Sequence, residues 1–346
     1  MKSTRPSPRA LVWSIIAALV SAAGLFVAFR NLDLERLPTV VVEAKIIWLL
    51  VLAVSIPMEQ ILRGWKWRQI LFDLRPVGTF RLFGAVMVGY FANIIIPVGL
   101  SPLVRAWLIA RIEGLRVSTV LVTTAIERFV DGIVFAIMVG ILVFFATLPE
   151  AEGNLRLGMT AAGSASLVLF TGLFGGLFLI KRRLTVDDSL MAHLVARLER
   201  VFGARFSGLG QGLADGIIWP KSRWRGAGVI LASVAMKMIS ITHFLWAGLA
   251  LGILLSPFDY LFIMVFTGFA LIITRFIRVP GGGIIGSALA LQILNIADEE
   301  ALTMVLAVHF ISTALTAGIG VVAMWNSGMT VLKLRQASTE PLIKSS

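Results

Sequence analysis

The stretch Ala92-Asn93-Ile94-Ile95-Ile96-Pro97-Val98-Gly99-Leu100-Ser101-Pro102-Leu103-Val104-Arg105 is apolar enough for a bilayer, yet it is broken by two prolines and a glycine and ends on an arginine. Proline removes a helical hydrogen bond and clashes with the preceding turn, so the spacing predicts a helix, a break and a second short helix rather than one crossing. The next apolar run carries Glu127, Arg128 and Asp131. Charge at membrane depth is costly and usually marks a pathway or a buried site, which makes these residues the first functional candidates.

Working outward, 58% of residues are hydrophobic, mean hydropathy is +0.91, and only 14% are charged. These values describe an all-α polytopic membrane protein. With no cysteine there is neither a disulfide framework nor a thiolate metal site, and three histidines make a poor ligand set, so no metal or cofactor is expected. Lys2, Arg5 and Arg9 precede an apolar run from Ala10 to Phe29. That run exceeds the roughly 7 to 15 residues of a signal-peptide core and reads as a retained first helix.

The net charge of +12 is segregated along the chain. Residues 63–81 hold five basic side chains against Asp73 alone, and 181–225 hold nine against four acids. The loops between are acidic or nearly uncharged, at Glu150 and Glu152, at Asp259, and at Asp298, Glu299 and Glu300. This is the loop pattern of a membrane protein with both termini in the cytoplasm, here of a bacterial-type plasma membrane, and it replaces a nucleic-acid reading of the charge. Trp65, Trp67, Trp219, Trp224 and Trp325 lie near the basic ends, where interfacial anchors belong.

Sidedness then sorts the spans. Crossings are expected at about 10–29, 46–62, 118–147, 158–180, 226–255 and 301–325, six in all. Residues 82–110 have two cytoplasmic flanks and form a re-entrant hairpin, and 258–296, broken at Pro280, Gly281, Gly282 and Gly283, forms another from the opposite side. The order span, span, hairpin, span then repeats in inverted form within one membrane domain, first over about 10–147 and again over about 158–325. Pro97 precedes Glu127 by 30 residues and Pro280 precedes His309 by 29. Facing broken helices in inverted repeats are a common secondary-transporter architecture.

The insert at 184–224 has Leu190, Leu194, Leu198, Phe202 and Phe206 at four-residue spacing with arginines elsewhere on the wheel. It reads as a cytoplasmic amphipathic helix on the anionic inner leaflet, with a partner-binding helix as the rival. Residues 326–346 form a cytoplasmic tail. Small residues from Ala314 to Gly320 suit helix contacts within the chain or in a homo-oligomer.

Leu62-Arg63-Gly64-Trp65, Asn93 with Pro97 and Arg105, Gly114, Glu127-Arg128 with Asp131, and the Gly-rich break after Pro280 resemble the membrane domain of lysylphosphatidylglycerol synthases and its stand-alone flippase-like relatives. The resemblance covers nearly the whole chain and implies a lipid translocase, or an accessory factor, for aminoacylated, isoprenoid or hopanoid lipids. It departs from the expected pattern at Ser101-Pro102 and at Ser287, where carboxylates are expected, and at His309, where an arginine is expected. With no soluble synthase domain after the last span, aminoacyl transfer from tRNA is not expected.

The residues themselves suggest an anionic-headgroup site. Short helices beginning after Pro102 and after Gly283 would present free amides, with Gly282 and Gly283 at the second such site, Arg105 adds a planar fork suited to phosphate, and Arg275 and Arg278 either repeat that role or simply snorkel or pair with carboxylates. Asn93 is placed to bond a backbone group freed by Pro97. Glu127 and Asp131 share a face, Arg128 is spaced to reach Asp131, and Lys237, His243 and His309 are candidate partners for the cluster. Gly281 to Gly286 is not a phosphate loop, since no lysine follows and no strand precedes. The expected function is movement of an anionic or isoprenoid lipid between leaflets. The alternatives are a membrane enzyme acting on a lipid headgroup, disfavoured because no catalytic constellation is recognisable, and a scaffold partnering an enzyme of lipid-linked biosynthesis.

Overall fold

The structure, a computed structural model, describes residues 35, 37–95, 101–146, 153–185, 214–276 and 281–327. The helices are α1 (Leu37–Glu43), α2 (Ile46–Leu71), α3 (Thr79–Ile95), α4 (Ser101–Glu113), α5 (Val117–Phe145), α6 (Gly153–Thr185), α7 (Arg223–Ala250), α8 (Pro257–Phe276), α9 (Gly282–Ile293) and α10 (Asp298–Asn326). Among the described residues there is no strand. Six helices are long and apolar enough to cross a membrane: α2, α5, Arg156–Leu179 of α6, α7, Pro257–Thr274 of α8, and α10. The chain is therefore an all-α polytopic membrane protein.

These six differ in part from the expected set. The run at 10–29 lies outside the described residues, as do Pro97, Pro280, Arg278, most of the 184–224 insert and all of the tail beyond Ser327. Pro257–Thr274, expected as one arm of a hairpin, is itself long enough to cross. The largest correction concerns α2, which does not stop at residue 62 but continues to Leu71. Arg63 and Lys66 are consequently helical and buried, not part of a basic loop.

The chain divides into two compact units that cut across the expected repeats. Unit one comprises the described residues of Met1–Ser55, Ile141–Leu157 and Ile239–Ser312; unit two comprises those of Ile56–Gly140, Gly158–Met238 and Thr313–Ser346.

In unit two, α3 and α4 pack together on either side of the break. Gly89 makes this possible, because a Cβ there would lie 2.8 Å from Ser101 Oγ and 2.9 Å from its carbonyl oxygen. Gly64, in the motif noted above, admits α3 in the same way: a Cβ would meet the Phe83 amide nitrogen at 2.8 Å. Around these contacts Trp67, Leu71, Leu82, Val86, Val104, Ile109 and Val120 form one apolar cluster, and Ile70, Ile126, Val130 and Val229 form a second. Trp67 is fully buried and donates to Thr123 Oγ1 at 3.0 Å, so it is a core residue rather than the interfacial anchor its position suggested. Trp224 and Trp325 remain 75% and 80% exposed, as residues facing headgroups would be.

In unit one, α8 and α9 form the second packed pair, with Gly286 lying against Ala270. Helix α8 opens with a reciprocal capping box: Ser256 N donates to Asp259 Oδ2 at 2.9 Å and Asp259 N donates to Ser256 Oγ at 3.2 Å, with Pro257 at the first helical position. Asp298, Glu299 and Glu300 occupy the first turn of α10, where negative charge favours the helix dipole. The acids that look like loop charges in the sequence are therefore helix-starting residues. Lys45 N donates to Ala250 O at 2.7 Å and Trp48 stacks on Trp246 with ring centroids 5.7 Å apart, joining the start of α2 to the end of α7.

Candidate functional site

The predicted charges of α5 meet a second set that rises from α2. Glu59, Arg63 and Lys66 are spaced four and three residues apart, so α2 places them on one face. That face turns toward Glu127 and Asp131, which share a face of α5 for the same reason. Lys66 Nζ donates to Asp131 Oδ1 at 2.5 Å and to Ser233 Oγ of α7 at 3.3 Å, and lies 3.5 Å from Glu127 Oε1. Arg63 Nη1 reaches Glu127 Oε1 at 3.4 Å and Asp131 Oδ2 at 3.3 Å, and Nη2 reaches Glu59 Oε1 at 3.4 Å. From α4, Arg105 Nη2 lies 2.8 Å from Glu127 Oε2, with its guanidinium carbon 4.9 Å from the centre of the Trp67 ring. Glu127 and Lys66 are fully buried and Arg105 is 1% exposed. Three cations thus surround one carboxylate in the interior of unit two, where removing the carboxylate would leave buried positive charge unmatched.

Arg128 does not reach Asp131 as its spacing suggested. It sits within electrostatic range of Arg105, and among the described residues no carboxylate lies within ion-pair distance of it. Lys237 on α7 faces the cluster at longer range, with Nζ 5.5 Å from the centre of the Phe135 ring and Asp131 and Glu59 as its acidic neighbours.

Asn93 performs the predicted structural task on a different group: its Oδ1 accepts from the Ser101 amide at 2.9 Å, capping α4. Helix α4 starts at Ser101, so one of its free amides is already satisfied and Pro102 contributes none. Helix α9 starts after Gly281, which has φ 80° and makes no side-chain cap bond among the described residues. His309 and His243 fall in unit one. His309 packs on Gly283 and has Nε2 3.3 Å from Ser287 Oγ, while that hydroxyl donates back to Gly283 O at 2.6 Å. Arg275 lies on α8.

The two places where the chain departs from the expected pattern in its second half, Ser287 and His309, therefore touch each other. Their contact spans 22 residues and joins the second helix of a broken pair to the long helix that follows. Arg105 and Glu127 are also 22 residues apart and join the corresponding elements of the first pair.

A family model described as the lysylphosphatidylglycerol synthase TM region matches residues 14–320. The chain belongs to this family. For the lysylphosphatidylglycerol synthase TM family member described here, the matched span contains every residue of the charge cluster and both broken helix pairs. Searches of curated proteins and of solved structures gave no match.

Sequence reading missed Glu59, Arg63 and Lys66, although the signal was present as their helical spacing. Ending α2 at residue 62 turned two of them into loop charges. A cavity of about 570 Å³ in unit two lies between α3, α4 and the end of α10, lined by residues that include Phe80, Arg81, Leu108, Ile112, Val322 and Asn326. It shares no residue with the charge cluster, and at its edge Arg81 pairs with Glu113 at 2.7 Å.

Proposed function

We propose that this integral membrane protein binds the anionic headgroup of a lipid, a phospholipid or an isoprenoid lipid, at the Arg105–Glu127 cluster and moves it between leaflets. The observation that carries the reading is Arg128: a guanidinium within a helix fit to cross the membrane, beside Arg105, with no carboxylate in ion-pair reach among the described residues. Membership of the family supports a lipid-related role. Arg105 and Arg128 offer planar forks to a phosphate, which would compete with Glu127 for Arg105. Because Glu127 and Arg105 are buried, an incoming headgroup must open the pair, and opening toward one leaflet and then the other is alternating access. The equal 22-residue spacing of the Arg105–Glu127 and Ser287–His309 contacts supports an inverted repeat, with α3–α4 and α8–α9 as re-entrant pairs and both termini cytoplasmic.

The test is leaflet exchange of labelled anionic, zwitterionic and isoprenoid lipids in proteoliposomes, comparing wild type with a folded Glu127→Gln, Arg128→Gln double variant. Headgroup-selective exchange that is lost in the variant is expected. Exchange unchanged by the substitutions would move the site elsewhere, and no exchange of any lipid, with or without a pH gradient, would overturn translocation. The rival reading, a scaffold without transport, is favoured by the fact that all three cations around Glu127 are already engaged, as in a static packing network. It predicts co-purification of a stoichiometric enzyme partner with the cluster dispensable for binding it.

A further inference from the structure

The charge cluster of unit two is unequal. Its carboxylates are Glu59, Glu127 and Asp131, and its cations are Arg63, Lys66, Arg105, Arg128 and Lys237. Each carboxylate is met by a cation: Glu59 by Arg63 at 3.4 Å, Glu127 by Arg105 at 2.8 Å, and Asp131 by Lys66 at 2.5 Å. Five cations against three carboxylates leave two positive charges, and the two without an ion pair among the described residues are Arg128 and Lys237. Uncompensated charge in a low-dielectric interior is strongly unfavourable, and a bound counter-anion is one way to relieve it. Unused donors point the same way: Arg105 Nε and Arg128 Nε are buried atoms with no hydrogen-bond partner among the described residues, and Arg105 is 99% buried as a residue.

We propose that the site is completed by a dianionic phosphate group, the charge of a phosphate monoester or a terminal diphosphate, in preference to a singly charged phosphodiester. This rests on the headgroup-site reading above and narrows its substrate class. A phosphodiester lipid supplies one negative charge and leaves one cation unmatched; a phosphomonoester supplies nearly two once its second proton, with pKa about 6, is gone. It also offers three acceptor oxygens to the paired forks of Arg105 and Arg128.

The experiment measures binding by the shift in thermal unfolding midpoint of the full chain in a nonionic detergent at about pH 8, where the monoester is doubly charged. The probes are phosphatidate, phosphatidylglycerol and phosphatidylcholine with identical acyl chains, with inorganic phosphate and glycerol 3-phosphate as lipid-free arms. Phosphatidate is expected to bind roughly tenfold or more tightly than phosphatidylglycerol, with phosphatidylcholine weakest. Lys237→Met removes one excess charge and should collapse the phosphatidate preference toward parity. Arg128→Gln repeats the test if Lys237→Met does not fold. Equal wild-type binding of phosphatidate and phosphatidylglycerol, or a preference unchanged in the charge-removal variant, would overturn the dianion assignment. Inorganic phosphate binding as tightly as phosphatidate would overturn the lipid source in favour of an aqueous anion. Selective phosphatidate binding without leaflet exchange would uphold the dianion and overturn translocation, so the two ideas fail separately.

Discussion

Lys66 illustrates what burial does to a long basic side chain. Fully buried, it is held between Asp131, Glu127 and the Ser233 hydroxyl; without the ammonium Asp131 keeps Arg63 at 3.3 Å and Glu127 keeps Arg63 and Arg105. Lys66→Met is expected to cost about 1–3 kcal/mol, the range for losing a charged hydrogen bond whose carboxylate keeps another cation. Adding Asp131→Asn should recover part of the loss, since the carboxylate that lost its shortest ion pair is then removed. Urea unfolding of the four proteins in detergent reads the cycle, and simple additivity would show that the two groups are independent. Trp67 has two roles that one substitution separates: Trp67→Phe keeps a ring beneath Arg105 but loses the 3.0 Å bond to Thr123. About 1 kcal/mol of destabilisation is expected, with lipid binding retained.

At the scale of elements, the broken pairs depend on what closes each break. Asn93 caps α4 across the break by accepting from Ser101 N. Asn93→Ala should cost about 1 kcal/mol, as lost N-caps do, and should loosen the start of α4 before the rest of unit two. Hydrogen exchange at the amides of Ser101, Leu103 and Val104 would report this, and unchanged exchange there would show that the cap is idle. The second pair relies on close approach, with Gly286 set against Ala270 and the Thr267 backbone. Gly286→Leu would push α9 off α8, and the expected result is a larger loss of stability than that of Asn93→Ala. Arg105 gains its position from the same construction, because α4 can bring a guanidinium against Glu127 only while the α3–α4 pair is closed at Gly89.

For the whole molecule, the central prediction is topological, and the absence of native cysteine makes it direct to test. Gly78→Cys and Arg116→Cys flank α3–α4, and Leu254→Cys and Ala297→Cys flank α8–α9. If both pairs are re-entrant, an impermeant maleimide applied to sealed, oriented vesicles should label the first two from one side and the last two from the other. Labelling of Gly78→Cys and Arg116→Cys from opposite sides would make the first pair cross the membrane and would remove the inverted repeat. The division of the chain into two units that each draw on both halves makes this experiment more informative than any argument from chain order.

The sequence alone determined that this is a helical membrane protein, since only long apolar runs with internally satisfied backbones survive in lipid, and composition reports that at once. It also pointed to the two broken pairs and to Asn93, Arg105, Glu127, Arg128 and Asp131 as candidates, because proline chemistry and the cost of membrane charge are local properties that spacing reveals. What it left undecided was partnership. Arg63 and Lys66 read equally well as interfacial loop charges or as helix residues, since a basic run beside an apolar segment fits both. Only the packing of α2 against α5 and α4 decided that they are buried and bound to Glu127 and Asp131. The same holds for Arg128, whose spacing suits a bond to Asp131 that Lys66 and Arg63 already occupy, and for Ser287 and His309, distant in sequence and joined only when α9 lies against α10. A side chain's chemistry is written in the sequence, whereas its counter-charge is set by which helices pack together and which groups water can no longer reach.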